Sequence, residues 1–306
     1  MKILVTGGAG FIGSHVAELF LRTGHDVAVL DDLSSGKRDN VPEGASFHQC
    51  SITDPAAGEI IKHEKPDVLV HHAAQISVSA SVKDPLFDLS VNIRGTVQLL
   101  QAAVKYRVRK VIFASTGGAI YGEHDYFPAD ERHPLRPLCP YGISKLAAEK
   151  YCSFFYATHG LRYTVLRYSN VYGPRQDPYG EAGVVAIFAQ KMLNGHQPVI
   201  NGSGEQTRDF VFVGDVADAN MRALESDCIG EFNISTGLET SINTLFRALK
   251  KITGSSASEV HGPAMPGEQL RSVLSWNRAH EMLGWQPRIS LEEGLQQTVN
   301  FFKTLH

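Results

Sequence analysis

No apolar run in the chain approaches the ~18 residues that would suggest a membrane span. Cysteine is scarce: Cys50, Cys139, Cys152 and Cys228 are scattered through 306 residues with no CxxC pair. That argues against a disulfide framework or thiolate metal site, and for free thiols in a reducing cytoplasm. His71 and His72 are adjacent on an expected strand, face opposite sides and make poor joint metal ligands, so no metal is expected. An excess of charge is missing too. The 29 basic and 32 acidic residues leave −3, which gives no general reason to expect nucleic acid or an anionic membrane. The opening MKILVTGGAGFIG breaks its apolar run with glycines and does not read as a signal peptide. Repeats and low-complexity tracts are absent. What is present is an ordinary globular composition, 43% hydrophobic and 20% charged, long enough for one large domain or two modest ones.

Short β-branched runs alternate with helical patterns in the first half. Segments 2–7, 26–31, 67–74 and 110–115 read as buried strands, and 163–173 as another. Segments 14–24 and 91–106 read as amphipathic helices, the second with Val97, Leu100 and Val104 at spacings of three and four. Such alternation predicts an α/β fold, a Rossmann-type doubly wound parallel sheet with helices on both faces. Later, helices are expected over 182–194, 215–226 and 241–252, joined by longer loops. A terminal helix begins at Ser290, with Glu293 completing a capping box. The division expected is a cofactor domain over 1–170 and a smaller α/β substrate domain over 171–306, with about 208–235 returning to the first. Residues 123–140 form a long loop containing four prolines, a length that usually signals function or mobility.

In VTGGAGFIGSH, Gly7, Gly10 and Gly13 lie between a strand and a helix start. Glycine permits a tight turn and lets backbone N–H groups approach a pyrophosphate at the helix N-terminus. Asp31 ends the second strand, 18 residues beyond Gly13. It suits the adenosine ribose hydroxyls and would repel a 2′-phosphate, which favours NAD over NADP; Lys37 and Arg38 nearby temper that preference. Tyr141 and Lys145, four apart on a helix opened by Pro140, share one face. Free tyrosine titrates near ~10; a lysine ammonium and an oxidised nicotinamide would both favour the phenolate. Ser115 and Thr116, before Gly117 and Gly118, end the strand that leads towards this pair.

Together, TGGAGFIG, the hydroxyl strand and YGISK resemble the extended short-chain dehydrogenase/reductase family. HHAAQ (71–75), LRYSNVYGPRQDP (166–178), TRDFVFVGDVA (207–217) and PGEQLRS (266–272) resemble its UDP-glucose 4-epimerase branch in particular. The resemblance implies NAD contacts from Phe11 and Ile12, from Asp32, Ser35 and Gly36, and from Ser51 and Ile52 at the adenine. Ala73, Ala74, Gln75 and Asn92 would serve the nicotinamide side, with Ser115 and Tyr168. It makes Tyr141 the catalytic base, Lys145 its partner on the nicotinamide ribose, and a strand-end hydroxyl the group that holds the sugar oxygen. It gives Asn170, Val184, Asn201 and Glu268 to the nucleotide sugar. Arg208 and Arg271, each able to form paired hydrogen bonds to phosphate, would clamp its diphosphate.

Three departures stand out. The family's catalytic Ser or Thr lies four residues before the YG tyrosine, where this chain has Gly117. Either Thr116 reaches the substrate instead, or it merely caps the strand while Tyr141 and Lys145 work with less help. Ser51 replaces an aspartate at the adenine, and Ser272 is small where epimerases limit the sugar's 2-substituent, which leaves N-acetylated sugars open. The implied function is reversible C4 epimerisation of a UDP-hexose through a 4-keto sugar. Alternatives are a UDP-uronic acid epimerase or decarboxylase, a 4,6-dehydratase (lacking here the Asp-Glu pair after Thr116), a keto-sugar reductase, or an NAD-holding redox sensor. A homodimer through a four-helix bundle is also implied, built from helices 91–106 and 141–158 with Val97, Leu100, Leu146, Phe154 and Phe155.

Overall fold

Alternate residues of the strand Lys2–Thr6 (β1) face different helical layers: Ile3 and Val5 enter one buried cluster and Leu4 another. The chain continues with Asp26–Asp31 (β2), Ser46–Gln49 (β3), Val68–His71 (β4), Lys110–Thr116 (β5) and Arg162–Tyr168 (β6). Shorter strands follow at Asn170–Tyr172 (β7), Ile200–Asn201 (β8), Thr207–Arg208 (β9) and Phe210–Phe212 (β10). The last three are Gly230–Ile234 (β11), Thr240–Ser241 (β12) and His261–Gly262 (β13). This computed structural model describes residues 1–179, 183–264 and 269–305.

Seven strands make one parallel sheet in the order β11-β6-β5-β4-β1-β2-β3. Helices Phe11–Arg22 and Val213–Glu225 bury one face of it, and helices Ala56–Glu64, Thr96–Lys105 and Pro140–His159 bury the other. This is the doubly wound α/β arrangement. Strand order reverses between β1 and β4, and open parallel sheets bind ligands beyond the carboxyl ends of their strands at such a point. A third cluster gathers Phe188, Phe246 and Phe302 from helices Val184–Leu193, Ile242–Thr253 and Leu291–Lys303 around Tyr172 and Phe212.

Several elements differ from their sequence-based bounds, each for a local reason. The strand expected over 67–74 stops at His71, where the chain meets the Gly7 turn. The run 163–173 is two strands: Asn170 N donates to Asp209 O (2.9 Å), so β7 leaves the main sheet and pairs with β10. The helix expected over 91–106 is regular only from Thr96; a widened π turn over Ser90–Gly95 precedes it and buries Asn92. The helix expected over 182–194 is seen as Val184–Leu193, residue 182 lying outside the described residues. Pro140 takes the first position of its helix, and Ser290 and Glu293 form the capping box. All four cysteines are free.

Candidate active site

At the end of β1 the three glycines have different tasks. Gly7 has φ +70°, and a Cβ there would lie 2.5 Å from Ala73 N, so the β1 and β4 loops touch at the switch point. A Cβ on Gly13 would lie 2.2 Å from Gly7 O, which lets the helix sit directly on the turn. Gly10 is different: its Cβ would meet only Gly7 O, at 3.2 Å. Gly10 is also the N-cap of helix Phe11–Arg22 and supplies no side-chain cap, so the first N–H groups have no side-chain acceptor. An open glycine over an uncapped helix N-terminus fits a dinucleotide pyrophosphate.

Beside it, the Asp31 carboxylate accepts from Ala9 N and Leu33 N, both at 2.9 Å, which fixes its orientation. Burial raises its pKa and those two hydrogen bonds oppose the rise. Asp32 Oδ1 accepts from Ser34 N, shaping the loop that carries Ser35, and Gly36 packs against Ala9. Ser51 bonds Thr53, while Ile52 packs against Gly95. On the other side, Asn92 accepts from Gln75 N (2.9 Å) and donates to Gln75 O (2.8 Å) and to Asp88 Oδ1 (3.0 Å). Its amide is fully used in fixing the Ala73–Gln75 loop. Ser144 donates to the other oxygen of Asp88 (2.6 Å) and ties that network to the tyrosine helix.

That helix presents Tyr141 and Lys145 towards the ends of β5 and β6. Lys145 is buried, with Nζ 4.2 Å over the Phe113 ring. Burial brings its pKa down to about 8, against which Glu149 is the leading opposing influence. Burial pushes the Tyr141 phenol up, and a hydrogen bond with the Thr116 hydroxyl opposes that shift. Ser115 Oγ donates instead to Glu149 Oε1 (2.5 Å). Tyr168 is also tied down, its phenol oxygen 2.9 Å from Asn220 Nδ2 and 3.1 Å from His72 Nε2. Burial and the Lys145 charge hold His72 at about 3, so it is neutral.

One cleft of about 720 Å³ joins these parts. Phe11, Ile12, Ser115, Thr116, Tyr141 and Tyr168 line it, together with Asn170, Val184, Asn201 and Arg208. Asn170 Oδ1 is buried without a hydrogen-bond partner. Arg271 does not line the cleft. It forms an ion pair with Glu239 (Nε 3.1 Å, Nη2 2.5 Å) and stacks 3.8 Å over the Phe127 ring. Ser272 is buried behind it, and Glu268 lies outside the described residues. The 123–140 loop is fastened to the same segment: Ala129 N donates to Val273 O (3.0 Å), Ser275 N to Ala129 O (2.8 Å) and Gln269 Nε2 to Gly122 O (2.6 Å).

The model of the NAD dependent epimerase/dehydratase family matches residues 3–235. The chain belongs to that family. It is 46% identical over 303 residues to a putative UDP-glucose 4-epimerase of Methanocaldococcus jannaschii, covering 98% of both chains. A crystal structure of UDP-glucose 4-epimerase with UDP-glucose from Thermotoga maritima superposes at a TM-score of 0.98, with 51% identity and 100% coverage of both chains. The Thermus thermophilus UDP-glucose 4-epimerase complex with NAD gives 0.95 and 44% identity, with 99% of each chain covered.

At position 117, where the epimerase branch was expected to carry its hydroxyl, a side chain would have to displace Leu274. A Cβ on Gly117 would stand 2.2 Å from Leu274 Cδ1, 3.3 Å from Tyr168 O and 3.4 Å from Arg167 O. Its direction is into the protein, whereas Thr116 lines the cleft. Gln176 was missed by sequence reasoning. It is buried at the cleft wall, donates to Val171 O (3.1 Å) and leaves its Oε1 without a partner. No spacing rule marks such a residue; its signal is an unsatisfied buried acceptor.

Proposed function

We propose that the chain catalyses reversible, NAD-dependent C4 epimerisation of a UDP-hexose, UDP-glucose/UDP-galactose or N-acetylated forms, through a 4-keto sugar. The observation that carries this reading is one cleft lined by Thr116 and Tyr141 together with Asn201 and Arg208. That lining suits a sugar joined through a diphosphate to a nucleoside. When bound, NAD supplies the hydride acceptor and donor for C4. Tyr141 takes the proton of the 4-hydroxyl and returns it. Thr116 donates to or accepts from the same oxygens and holds the sugar in line. Lys145 anchors the nicotinamide ribose and, as an ammonium, favours the tyrosinate. Asn170 and Gln176 offer acceptors for sugar hydroxyls, and Arg208 anchors the diphosphate while the sugar turns over. The loop 123–140 is pinned to 269–275, and none of its residues lines the cleft. Arg271 enters this scheme only if diphosphate draws it from Glu239.

Incubating the protein and NAD separately with UDP-glucose, UDP-N-acetylglucosamine and UDP-glucuronate, and resolving C4 epimers by proton NMR, tests the reading. A galacto product without net NADH is expected; three unchanged sugars would overturn it.

The same reading includes a cofactor domain over 1–170 and a substrate domain over 171–306, a cytoplasmic location, and a homodimer through a four-helix bundle. Supporting the dimer, Leu86, Phe87 and Leu89 are exposed on helix Pro85–Leu89, which packs on helix Pro140–His159, itself exposing Ile143 and Phe154. Leu100 and Phe155 are core residues and belong to the sheet packing instead.

A further inference from the structure

Beneath the turn that ends β1, one histidine joins three elements that meet at the switch point. His71 closes β4, and its ring lies between two threonine hydroxyls. Nδ1 is 2.7 Å from Thr6 Oγ1 of β1, and Nε2 is 3.0 Å from Thr96 Oγ1, at the start of helix Thr96–Lys105. All three residues are buried. One proton per hydroxyl settles every direction in this chain of contacts. Thr96 Oγ1 donates to the Asn92 carbonyl (2.7 Å), so towards His71 it can only accept, and Nε2 carries a proton. Thr6 Oγ1 accepts from Ala73 N (3.3 Å) and has His71 Nδ1 as the acceptor for its own proton, so Nδ1 is bare. The hydrogen bonds therefore run one way, from Ala73 N through Thr6, His71 and Thr96 to the Asn92 carbonyl. The Asn92 side chain then returns to Gln75 N and O. An imidazolium would leave the Thr6 proton without its acceptor and would bury a charge; burial already holds the His71 pKa well below its usual value.

We propose that His71 is a positioning residue of the cofactor site, locking the Ala73–Gln75 loop between the Gly7 turn and the π turn over Ser90–Gly95 as its neutral Nε2–H tautomer. Neighbouring contacts show what is fixed. His72 N donates to Thr6 O (3.0 Å), and a Cβ on Gly7 would lie 2.5 Å from Ala73 N, so the relay holds the loop against the glycine turn. The π turn carries Asn92, which grips the same loop through Gln75. Stability alone is a weak account of the relay, because buried polar partners replaced together by apolar groups of the same shape can be nearly neutral. A fully satisfied buried network does something else: it holds one arrangement. The consequence for NAD rests on the reading above that the Ala73–Gln75 loop serves the nicotinamide side, and does not depend on the sugar.

The test takes two readings from the full chain. With ¹⁵N-labelled histidine and no NAD, a two-bond ¹H–¹⁵N correlation at pH 7, assigned by the signals that His71→Asn removes, is expected to show His71 protonated at Nε2 and bare at Nδ1. The Nδ1–H tautomer or an imidazolium overturns the proposal. NAD binding is then followed by calorimetry well below the unfolding temperature. Thr96→Val keeps the side-chain shape but strands the Nε2 proton, which should raise the NAD dissociation constant about fivefold or more. Thr298→Val removes the same kind of bond (Thr298 Oγ1 to Gly294 O, 2.7 Å) in helix Leu291–Lys303. It should lower thermal stability and leave NAD affinity in place, which separates positioning from stability. His71→Gln keeps a donor for Thr96 and loses the acceptor for Thr6; it should also raise the constant, and it covers the case in which Thr96→Val does not fold. An unmoved constant in either folded variant, or an equal rise in Thr298→Val, overturns the proposal. Absence of NAD binding in the unaltered chain would defeat the cofactor reading, and the positioning role with it, even with the tautomer as expected.

Discussion

Two hydroxyls end β5, and exchanging them separates their roles. Thr116 lines the cleft and bonds Tyr141, whereas Ser115 donates to Glu149. Thr116→Ala removes one hydrogen bond to a group that becomes charged in the transition state, worth about 1.5–3 kcal/mol. That predicts a fall in kcat of roughly 10- to 150-fold at saturating UDP-sugar. Thr116→Ser should retain most of the rate. Ser115→Ala leaves the two Arg167 contacts of Glu149 intact, so its cost is about 1 kcal/mol of stability, with kcat changed by less than about 3-fold. The decisive variant is Thr116→Ala/Gly117→Ser, which moves the hydroxyl to the position expected of the epimerase branch. A Cβ there would stand 2.2 Å from Leu274 Cδ1, so that buried side chain must shift. Overpacking of this kind costs about 1–3 kcal/mol, so thermal unfolding should move down by a few degrees and activity should stay at the Thr116→Ala level. Recovery of kcat in the double variant, followed by NMR of the interconverting sugars, would refute the assignment of the hydroxyl to Thr116.

Arg208→Ala should raise KM for the UDP-sugar by roughly 10- to 100-fold with a smaller change in kcat, as loss of a charge-assisted phosphate contact implies; Arg271→Ala, measured alongside, should have the weaker effect because Arg271 is already paired with Glu239. Glu64 tests the sheet rather than the site. Burial works to raise its pKa, but hydrogen bonds from Lys2 (2.6 Å) and His48 (2.6 Å) outweigh this and the net shift is downward. A carboxylate with a depressed folded-state pKa contributes stability above its unfolded value near ~4.5 and loses it as pH falls through the folded one. Glu64→Gln should therefore cost about 1–3 kcal/mol at pH 7, and thermal scans of the two proteins should converge as pH falls through the lowered folded-state pKa. Leu86→Glu/Phe154→Glu places charges on two side chains that are 76% and 52% exposed; light scattering should report a monomer where the unaltered chain is a dimer, and an unchanged mass would sink the helix-bundle interface.

What the sequence made legible was whatever lies within one element or one turn. The glycine spacing of the first turn, the four-residue step from Tyr141 to Lys145, and the Ser290 capping box are local patterns, and the structure has the turn, the shared helix face and the cap where they were expected. The weak strand β3, Ser46–Gln49, escaped because it is half exposed and lies at a sheet edge, where no apolar run is required. The single strand expected over 163–173 failed for a different reason. Its break depends on Asp209, which is far away in sequence.

That aspartate also shows why the site was only partly readable. Next to Arg208, it has no role that the sequence marks out. In the fold it is fully buried, and its carboxylate accepts from Thr236 N (2.8 Å), Thr236 Oγ1 (2.7 Å), Gly237 N (3.0 Å) and Leu274 N (3.3 Å). Its carbonyl takes the N–H of Asn170. One residue thus holds the turn that carries Arg208, the strand end that carries Asn170, and the segment carrying Leu274, which a Cβ at position 117 would displace. A spacing rule can nominate Arg208 and Asn170 separately, but it cannot see that a shared acceptor holds them. The same holds for Ser115, whose nearest neighbour in sequence faces the cleft while its own hydroxyl answers to Glu149, 34 residues on. Sequence patterns report which groups are available; the direction in which each one points is decided by partners at long separation, and here that separates the hydroxyl that bonds Tyr141 from the one that bonds Glu149.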